Sequence, residues 1–439
     1  MINITGSNHE NGKYVVFKNS RVEILGDIPE NWSAIRLKYI AKINADTIPE
    51  TMDSNFQFKY VDIGSVSFDK GIEYTEAYKF KDAPSRARRI ARAGDTIIST
   101  VRTYLKAIDY VSGGKEGYIF STGFAVLHPM KNLYDEFLFH YVRSNAFTEQ
   151  VMINSLGMSY PAINSTKLGR LSCAIPTAEE QHSIVRYIRA ESTKIDKAIA
   201  QKNRITELLK ERKQLIVQNA LTKGLDPNVK MKNSGIEGLG MIPAHWLVKR
   251  LKYLLKERNE RSNTGDEPLF MVSQIHGLVV RSKFHAKAEI AESSVGNKLV
   301  YTNDLVFNKL KAHLGVFFKS CNDFKGLVSP DYAVYCSNGI ISDLKILELL
   351  FRHPAYISQF ITRATGIVEG LIRLYTDDLF AIHVPVPSSD EQIEILNFIS
   401  VHSAKYDKVI AAQQKQTEKL KEFKATLIDS AVTGKIKVY

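Results

Sequence analysis

An internal repeat constrains this chain more than any other feature of its sequence. The 25 residues from Lys18 to Lys42 recur from Lys232 to Lys256 at a constant offset of 214, and 14 of the 25 positions are identical. A second block of 47 residues, which begins at Pro176, recurs from Pro387 at an offset of 211, with 19 positions identical. Because both blocks recur in the same order, the repeat spans the chain and predicts two copies of one structural plan.

Between these blocks the two halves diverge, and only faint correspondences remain. The run GDTII from Gly94 is similar to NDLVF from Asn303, and FAV from Phe124 is similar to YAV from Tyr332. Similar ends with dissimilar middles predict one scaffold that presents two different recognition surfaces. The predicted segments are an N-terminal tail (1–24), a first variable domain (25–175), a central helical region (176–226), a second variable domain (227–386) and a C-terminal helical region (387–439).

The two repeated tails are predicted to be long amphipathic helices. Thr177 and Ser388 or Ser389 precede acidic residues in an N-cap arrangement, and Gly224 and Gly434 mark the helix ends. Because one apolar stripe on each helix is most simply buried by pairing the helices, we expect antiparallel packing with the variable domains at opposite ends. Each tail carries apolar residues at one heptad position, namely Ile188, Ile195, Leu209 and Ile216 in the first and Ile399, Tyr406, Leu420 and Leu427 in the second.

Each variable domain is predicted to begin with strands and to end with a helix. Residues 58–63, 95–101 and 118–127 have the β-branched and aromatic content of strands and are bounded by turns that contain glycine. Apolar residues at helical spacing follow in both halves, and in the second half they predict one helix over 342–363 with Ser342 at its N-cap. The predicted fold class is therefore α+β, with two pseudo-repeated α/β domains joined by two long antiparallel coiled-coil helices.

The amino-acid composition indicates the kind of binding partner and the cell compartment of this protein. Fifty-nine Lys and Arg against 47 Asp and Glu give a net charge of +12, which favours polyanionic partners. The three cysteines are widely spaced without a CxxC pair, which argues against a disulfide framework and a zinc cluster. No apolar run approaches the length of about 18 residues that a membrane span needs, and residues 1–20 lack the apolar segment of a signal peptide. We expect a cytoplasmic protein that does not contact a membrane.

Motifs of common catalytic sites are absent from the sequence, including GxxxxGK[ST], GxSxG and HExxH. One pattern imitates a nuclease, because Asp331 and Asp343 with Lys345 could hold Mg²⁺ and polarise a phosphate. The alternative explanation is that Asp343 is a first-turn carboxylate at a helix start. The eleven histidines show no i, i+4 pair joined to a carboxylate, so no metal site is predicted.

Basic residues occupy corresponding places in the two halves. Four arginines lie between residues 86 and 92, before the strand predicted at 95–101, and further basic and aromatic residues follow that strand. In the second half Arg281, Lys283, His285 and Lys287 alternate, as they would on one face of a strand. Arginine can bridge phosphates or pair with guanine, and tyrosine can contact sugars and base edges. The predicted DNA-binding residues are Arg86, Arg88, Arg89, Arg92, Arg102, Tyr104, Tyr160, Asn164, Arg281, Lys283, Lys309, Lys311, His313 and Arg373.

Alternative explanations stay open for these basic and loop segments. Each basic group could be a solvated surface strip. The loops 157–164 and 366–373 differ in polar content as base-reading loops would, but ordinary loops also vary. Residues 182–223 carry ten basic and four acidic residues, an excess that could follow a phosphate backbone or could be the solvated face of a coil.

The repeated blocks resemble the specificity subunit of type I restriction-modification enzymes. The resemblance rests on the doubled GxIPxxW opening, on PTAEEQ from Pro176, on a coil that contains KID, and on the endings LKERKQLIVQNALTKG and LKEFKATLIDSAVTGKI. It covers both halves and implies two target-recognition domains that each read one half of a split, asymmetric double-stranded DNA site. It also implies that the helical regions space these domains and dock two methyltransferase subunits.

The resemblance further implies that this chain has no catalytic site. S-adenosylmethionine, ATP and Mg²⁺ are expected on the methyltransferase and motor-nuclease subunits. The basic residues named above are not part of the family's motifs and rest on the sequence pattern alone. Two other classes of function remain open from the sequence: a Mg²⁺-dependent nuclease that uses Asp331, Asp343 and Lys345, and a coiled-coil scaffold that does not bind DNA.

Overall fold

The chain divides into two compact units, and both long helices contribute to each of them. The first unit contains residues 1–202 and 415–439, and the second contains residues 203–414. The computed structural model describes residues 12, 14–273, 276–284, 294–365 and 373–438, without the side chains of residues 312 and 313.

Short strands predominate in the first unit. They are β1 (Phe17–Asn19), β2 (Asp27–Pro29), β3 (Ser33–Arg36), β4 (Ala41–Ile43), β5 (Gln57–Val61), β6 (Val66–Ser67), β7 (Gly71–Ile72), β8 (Glu76–Lys79), β9 (Ala87–Ile90), β10 (Thr96–Ser99), β11 (Ile108–Tyr110), β12 (Ile119–Ser121), β13 (Phe124–Pro129) and β14 (Ser172–Ile175). Between β13 and β14 lie the helices α1 (Asp135–Val142), α2 (Asn145–Ile153) and α3 (Ser165–Arg170), and the long helix α4 (Ala178–Lys223) begins in this unit.

Two four-stranded sheets form the centre of the first unit. The central sheet has the antiparallel order β11-β10-β13-β4, and the second sheet has the order β8-β5-β12-β9. Neighbouring residues of β10 point to opposite faces, so Ile97 belongs to the hydrophobic cluster that contains Phe120 of the second sheet, and Ile98 belongs to the cluster that contains Phe137 of α1. The central sheet is therefore buried on both faces.

The second unit repeats this succession of elements. Its strands are β15 (Met231–Asn233), β16 (Met241–Pro243), β17 (Leu247–Arg250), β18 (Leu255–Glu257), β19 (Phe270–Ser273), β20 (Gly277–Val280), β21 (Lys298–Val300), β22 (Leu305–Asn308), β23 (Phe317–Lys319), β24 (Gly326–Val328), β25 (Tyr332–Ser337) and β26 (His383–Val386). Its helices are α5 (Lys345–Leu350), α6 (Pro354–Arg363), α7 (Thr376–Phe380) and the start of the long helix α8 (Ser389–Val432).

The central sheets of the two units share one topology. The order β23-β22-β25-β18 in the second unit repeats β11-β10-β13-β4 in the first. The register repeats as well, because Ile98 lies opposite Ala125 in the first unit and Phe307 lies opposite Ala333 in the second. The weak sequence similarity between the variable domains therefore marks equivalent strands, and the prediction of two pseudo-repeated domains is confirmed.

A buried aspartate precedes the equivalent strands β10 and β22. Asp95 accepts a hydrogen bond from the backbone N–H of Arg92 at 2.8 Å, and Asp304 accepts one from the N–H of Tyr301 at the same distance. Each carboxylate thus closes the turn that leads into its strand. The same hydrogen bond pairs the buried carboxylate with a backbone donor. This shared turn explains why the GD and ND dipeptides survive in otherwise divergent segments.

The long helices pair in antiparallel fashion, as the sequence predicts. In the first unit the Lys424 ammonium lies 2.7 and 2.8 Å from the two carboxylate oxygens of Asp196, and Lys202 donates to the Gln416 side chain at 2.6 Å. As the residue number rises along α4, the number of its partner on α8 falls, which defines antiparallel packing.

The equivalent ion pair recurs in the second unit. Lys213 lies 2.7 Å from both carboxylate oxygens of Asp407. At the repeat offset of 211, Lys213 corresponds to Lys424 and Asp407 to Asp196, so each copy of the repeat supplies the acid of one pair and the base of the other. Such reciprocal contacts are the signature of a self-complementary interface, here built within one chain.

The apolar stripes of the two helices lie in this pairing. Of the predicted heptad residues, the structure buries Ile188, Ile195, Ile399 and Leu427 and half-buries Leu209, Ile216, Tyr406 and Leu420. Beside this stripe, Thr206 is 6% exposed whereas the larger and more apolar Ile205 is 44% exposed. One residue along a helix is a rotation of about 100°, so burial of Thr206 turns Ile205 towards solvent.

Both long helices begin with a reciprocal capping box. Thr177 Oγ1 accepts from the N–H of Glu180, and the Glu180 carboxylate accepts from the N–H of Thr177. Ser388 and Glu391 exchange the same two hydrogen bonds at the start of α8. The predicted N-caps are confirmed, with Ser388 in the capping position.

A buried glutamine fastens each helix start to its unit. The Gln181 amide, which is 1% exposed, donates to the carbonyls of Pro176 and Asn132 and accepts from the N–H of Tyr134. Gln392 makes the three equivalent hydrogen bonds in the second unit. These bonds hold the loop before the short helices against the first turn of each long helix.

The GxIPxxW motif packs against the end of a long helix in each unit. Trp32 is fully buried beside Gly434, which follows α8, and Trp246 is buried beside Gly224, which follows α4. Both glycines have positive φ angles, +75° and +73°, in the left-handed region that suits a helix C-terminus. In each unit the tryptophan of the motif therefore packs against the C-terminal end of a long helix.

The structure differs from the helix predicted over 342–363. Two helices, α5 and α6, replace it, because Pro354 occupies the first position of α6 and cannot continue a preceding helix. The Nδ1 atom of His353 caps α6 by accepting from the N–H of Ala355 at 3.2 Å. Ser342 is also not the N-cap of α5, which begins after Leu344.

The strand predicted over 118–127 is likewise two strands in two different sheets. β12 belongs to the second sheet and β13 to the central sheet, and the chain changes sheets at Thr122 and Gly123. A Cβ atom at Gly123 would lie 2.4 Å from the Ile63 side chain, so the crossing needs glycine. The other two predicted strands end earlier than expected, at Val61 and Ser99.

We expect Gly434→Ala to destabilise the protein more than Gly224→Ala. Both changes place a Cβ in the left-handed region at a cost of about 1–2 kcal/mol. A Cβ at position 434 would also lie 2.7 Å from ring carbons of Pro29, whereas a Cβ at 224 would lie 3.5 Å from its nearest neighbours. Hydrogen exchange measured by mass spectrometry should show faster exchange around Trp32 in the first variant. Equal effects of the two variants would contradict this reading.

Candidate nucleic-acid interface

The segment that follows β10 turns sharply outward from the central sheet. Arg102 has a positive φ of +53°, and a 3-10 turn over 103–105 comes directly after it. The Arg102 side chain is exposed, and that of Tyr104 is 54% exposed. The turn thus projects a cation and an aromatic ring beyond the end of the strand.

A hairpin from the loop 157–164 packs beside this turn. Leu156 and Ala162 exchange two backbone hydrogen bonds of 2.8 and 2.9 Å, and the N–H of Ile163 donates to the carbonyl of Thr100 at 2.9 Å. The Thr103 and Ser155 hydroxyls lie 2.9 Å apart and join the two segments again.

These contacts bring together residues that are far apart in sequence. The Arg102 guanidinium lies over the Tyr160 ring, 4.9 Å from its centroid, and the ring is itself 62% exposed. A cation stacked on an aromatic face is fixed in direction while its remaining N–H groups stay free to bind a phosphate or a base edge.

Arg86 reaches the same edge through the second sheet. Its carbonyl accepts from the N–H of Thr122 at 2.8 Å, and the next residue, Gly123, accepts from the N–H and the hydroxyl of Thr100. Arg86 itself is exposed. We call the four residues Arg86, Arg102, Tyr104 and Tyr160 the strand-end surface of the first unit.

The other three arginines of the same sequence group point elsewhere. Arg88 lies over the ring of Phe80 at 5.3 Å. Arg89 is half-buried, its Nε atom has no partner among the described residues, and burial lowers its pKa. Arg92 forms an ion pair of 2.8 Å with Asp46 beyond the opposite end of β9. These arginines are close together in the sequence, but β9 and the turns beside it direct their side chains to different parts of the unit.

Asn164 has a structural role at the base of the hairpin. Its side-chain oxygen accepts from the N–H of Lys167 at 2.8 Å and caps α3. This bond satisfies a free donor of the first helical turn, which is the usual task of an N-cap asparagine.

The second unit repeats the backbone frame of this surface with different side chains. After β22, the carbonyl of Lys309 accepts from the N–H of Leu374, as that of Thr100 does from Ile163. Thr365 and Arg373 exchange two backbone hydrogen bonds of 2.9 Å and close a second hairpin. Residues 366–372, between these two, lie outside the described residues.

The predicted basic residues near the end of β22 and at the second hairpin differ in their exposure. Lys309 is half-buried with its ammonium 4.0 Å from Glu257, and Lys311 is exposed in the same 3-10 segment. Arg373 is half-buried at the hairpin base. The side chain of His313 lies outside what the structure describes.

Arg281 and Lys283 do not alternate on a strand as expected. They form a 3-10 turn over 281–283, in which residues two apart point in different directions because one turn takes about three residues. His285 and Lys287 lie outside the described residues. The predicted strand is therefore wrong for Arg281 and Lys283.

The residues of the nuclease pattern are separated and committed to other partners. Asp331 precedes β25, and Asp343 follows its far end, about 20 Å away at 3.3 Å per residue. Asp343 forms an ion pair of 2.8 Å with Lys319, and Lys345 forms one of 2.6 Å with Glu348. The three groups therefore cannot share one metal ion, and the nuclease hypothesis is wrong for this set.

The described residues contain neither a candidate metal site nor a candidate membrane span. No group of three or more His, Cys, Asp or Glu side chains is arranged to hold a metal ion there. Within the same part of the chain, no helix is both long and apolar enough to cross a bilayer.

Sequence reasoning missed the apolar side chains of the hairpin. Met158 is fully exposed and Leu156 is 68% exposed, and Ile153, the last residue of the adjoining α2, is 72% exposed. The sequence did contain a signal, since Met158 and Tyr160 stand between Gly157 and Pro161 in a segment predicted as a loop. Exposed apolar residues beside cations mark an interaction site more strongly than charge alone.

Comparisons with known proteins identify what this architecture is similar to. Residues 29–210 match the family described as type I restriction modification DNA specificity domain. A putative type I restriction enzyme MjaX specificity subunit from Methanocaldococcus jannaschii is 24% identical over 96% of this chain and 97% of its own length. The EcoKI specificity subunit of Escherichia coli is 22% identical over 62% of this chain and 59% of its own length.

Solved structures share the fold across both units. One, described with the complex assembly and conformational transition of a type I restriction-modification system, has a TM-score of 0.67 at 22% identity and covers 92% of this chain and 98% of that chain. The HsdS subunit from Thermoanaerobacter tengcongensis has a TM-score of 0.51 at 21% identity over 93% and 98%. The domain match over residues 29–210, the full-length relative and the shared fold of both units all make this chain similar to the specificity subunits of type I restriction-modification enzymes.

Proposed function

We propose that this chain is the DNA sequence-specificity subunit of a type I restriction-modification complex and that each unit reads one half of a bipartite, asymmetric site. One observation carries the proposal: two units with the same frame present different side chains at the same strand end. Arg102 and Tyr160 stand there in the first unit, and Lys309 and Arg373 stand there in the second. Two units with equivalent backbone hydrogen bonds but different side chains at this place would read different half-sites.

The strand-end surface offers both kinds of contact that DNA recognition needs. Exposed Arg86 can neutralise a phosphate, which positions the protein without reading sequence. Arg102, held over Tyr160, can present its paired N–H groups to O6 and N7 of a guanine, the contact that specifies a base.

The similarity to specificity subunits supports a proposal for the rest of the complex. We assign the docking of two methyltransferase subunits to α4 and α8, whose repeated sequences provide two equivalent surfaces. S-adenosylmethionine, ATP and Mg²⁺ would be bound by the methyltransferase and motor-nuclease partners, and this chain would contribute recognition without catalysis. A subunit that reads the cell's own DNA would work in the cytoplasm.

A scaffold that does not touch DNA is the competing class of function. Co-expression with a cognate methyltransferase, followed by genome-wide mapping of methylated adenines, separates the two. Our proposal expects one bipartite motif with a constant gap. Methylation without a motif, or none that depends on this chain, would favour the scaffold.

We expect Arg102→Ala to weaken recognition of a single half-site. Loss of a bidentate base contact costs about 1–3 kcal/mol, which is about 5- to 150-fold in affinity. Competition binding with duplexes altered in either half measures the effect. Arg92→Ala is the matched control, because Arg92 is paired with Asp46 away from this surface. Equal weakening at both half-sites would count against a base contact by Arg102.

Binding should weaken steeply with salt. Each phosphate contact contributes about 0.9 to the negative slope of log K against log salt concentration, so four such contacts give a slope of about −3.6. Arg86→Ala should reduce the slope by about 0.9 without changing the preferred sequence. A titration of affinity between low and physiological salt tests this, and a flat response would exclude DNA binding of this kind.

Duplicating Thr206 to Leu209 within α4 should change the gap between the half-sites. Four residues add about 6 Å and a net rotation of about 40°. The rotation is close to that of one base-pair step, and a face turned away from its groove loses its contacts, so we expect a gap longer by one base pair. Methylated-adenine mapping of the variant measures the gap. An active variant with an unchanged gap would show that α4 does not set the distance.

A further inference from the structure

An apolar patch adjoins the strand-end surface of the first unit. Seven large apolar or aromatic side chains in two neighbouring segments are each at least 38% exposed: Tyr104, Leu105, Met152, Ile153, Leu156, Met158 and Tyr160. Exposed apolar groups at this density mark a surface that is covered in the working state of a protein.

The tip of this patch is rigidly presented. The paired hydrogen bonds between Leu156 and Ala162 close a loop of five residues. Gly157 has a φ of +106°, and a Cβ there would lie 3.2 Å from the carbonyl oxygen of Tyr160, so the turn is tight. Met158 stands at this tip with its side chain fully in solvent and contributes nothing to the packing of the unit.

The charges around the tip indicate DNA as the occupant. Arg102 lies over Tyr160, which is in the same loop two residues from Met158, and exposed Arg86 lies at the same edge. Cations beside an apolar tip match a groove, in which phosphates line the rims and base edges form the floor. The hairpin is closed by one isolated bridge, and the major groove, about 12 Å wide, admits elements as broad as a two-stranded β-ribbon.

We propose that Met158 reads the C5-methyl group of a thymine in the half-site bound by the first unit. This inference rests on the proposed function. The thymine methyl is the apolar feature of the base edges in the major groove. A methionine side chain is unbranched and polarizable, so it can follow the position of a methyl group closely.

Replacement of thymine by deoxyuridine tests the proposal, because it removes the methyl and leaves the base pairing intact. Once adenine mapping has given the site, each thymine of the first half-site is replaced in turn in a duplex bound by the full chain with its methyltransferase partners. One replacement should weaken binding by about fourfold, the effect of one buried carbon. Met158→Ala should bind the thymine and deoxyuridine duplexes equally.

Two further variants serve as controls for this experiment. Met158→Leu retains an apolar tip and should stay sensitive to deoxyuridine. Met130→Ala is the matched control, because Met130 is 38% exposed just beyond the opposite end of β13, and it should also stay sensitive. Thermal unfolding of Met158→Ala should match that of the unaltered chain.

The outcomes separate this inference from the proposed function. If the unaltered chain selects a bipartite duplex but no deoxyuridine position weakens binding, the methyl contact is overturned while the specificity function stands. An equal fourfold loss in Met158→Ala also overturns it. If no duplex is selected at all, both proposals fail.

Discussion

The antiparallel pairing of α4 with α8 is the interaction on which the rest of the structure depends. Its ion pairs are reciprocal, since Asp196 binds Lys424 in one unit and Asp407 binds Lys213 in the other. Asp196 is 57% exposed and Asp407 is 60% exposed, so each pair contributes only about 0.2–1 kcal/mol. Burial of the apolar stripe must supply most of the stability, while the ion pairs select the register in which both repeats satisfy each other.

Each unit is then built around one helix start and one helix end. A capping box and a buried glutamine, Gln181 or Gln392, fasten the start, and a buried tryptophan packs on the glycine that follows the end. These contacts are made by the segments that the repeat preserves. The variable domains are therefore free to change their outer side chains without loss of the frame that holds them.

The frame explains how one plan can carry two specificities. An equivalent backbone hydrogen bond holds the chain after β10 and after β22, and a pair of backbone hydrogen bonds closes a hairpin beside it in each unit. What differs is the set of side chains at this edge, with Arg102, Tyr104 and Tyr160 in one unit and Lys309, Lys311 and Arg373 in the other. Because DNA presents a different pattern at each base pair, a change of side chains on a fixed frame changes the sequence that is read.

The sequence by itself determined the repeat, the long helices, their caps and the resemblance to specificity subunits, because these follow from local patterns that occur twice in the same order. It also predicted the basic residues that flank β10, but only the tertiary structure decided which of them share a surface. Pairing across the sheets brings Arg86 to the edge of Arg102 and turns Arg92 to Asp46, and the hairpin brings Tyr160 to Arg102 across 58 positions. Strand register and sheet crossings depend on contacts between distant residues, which no local pattern encodes.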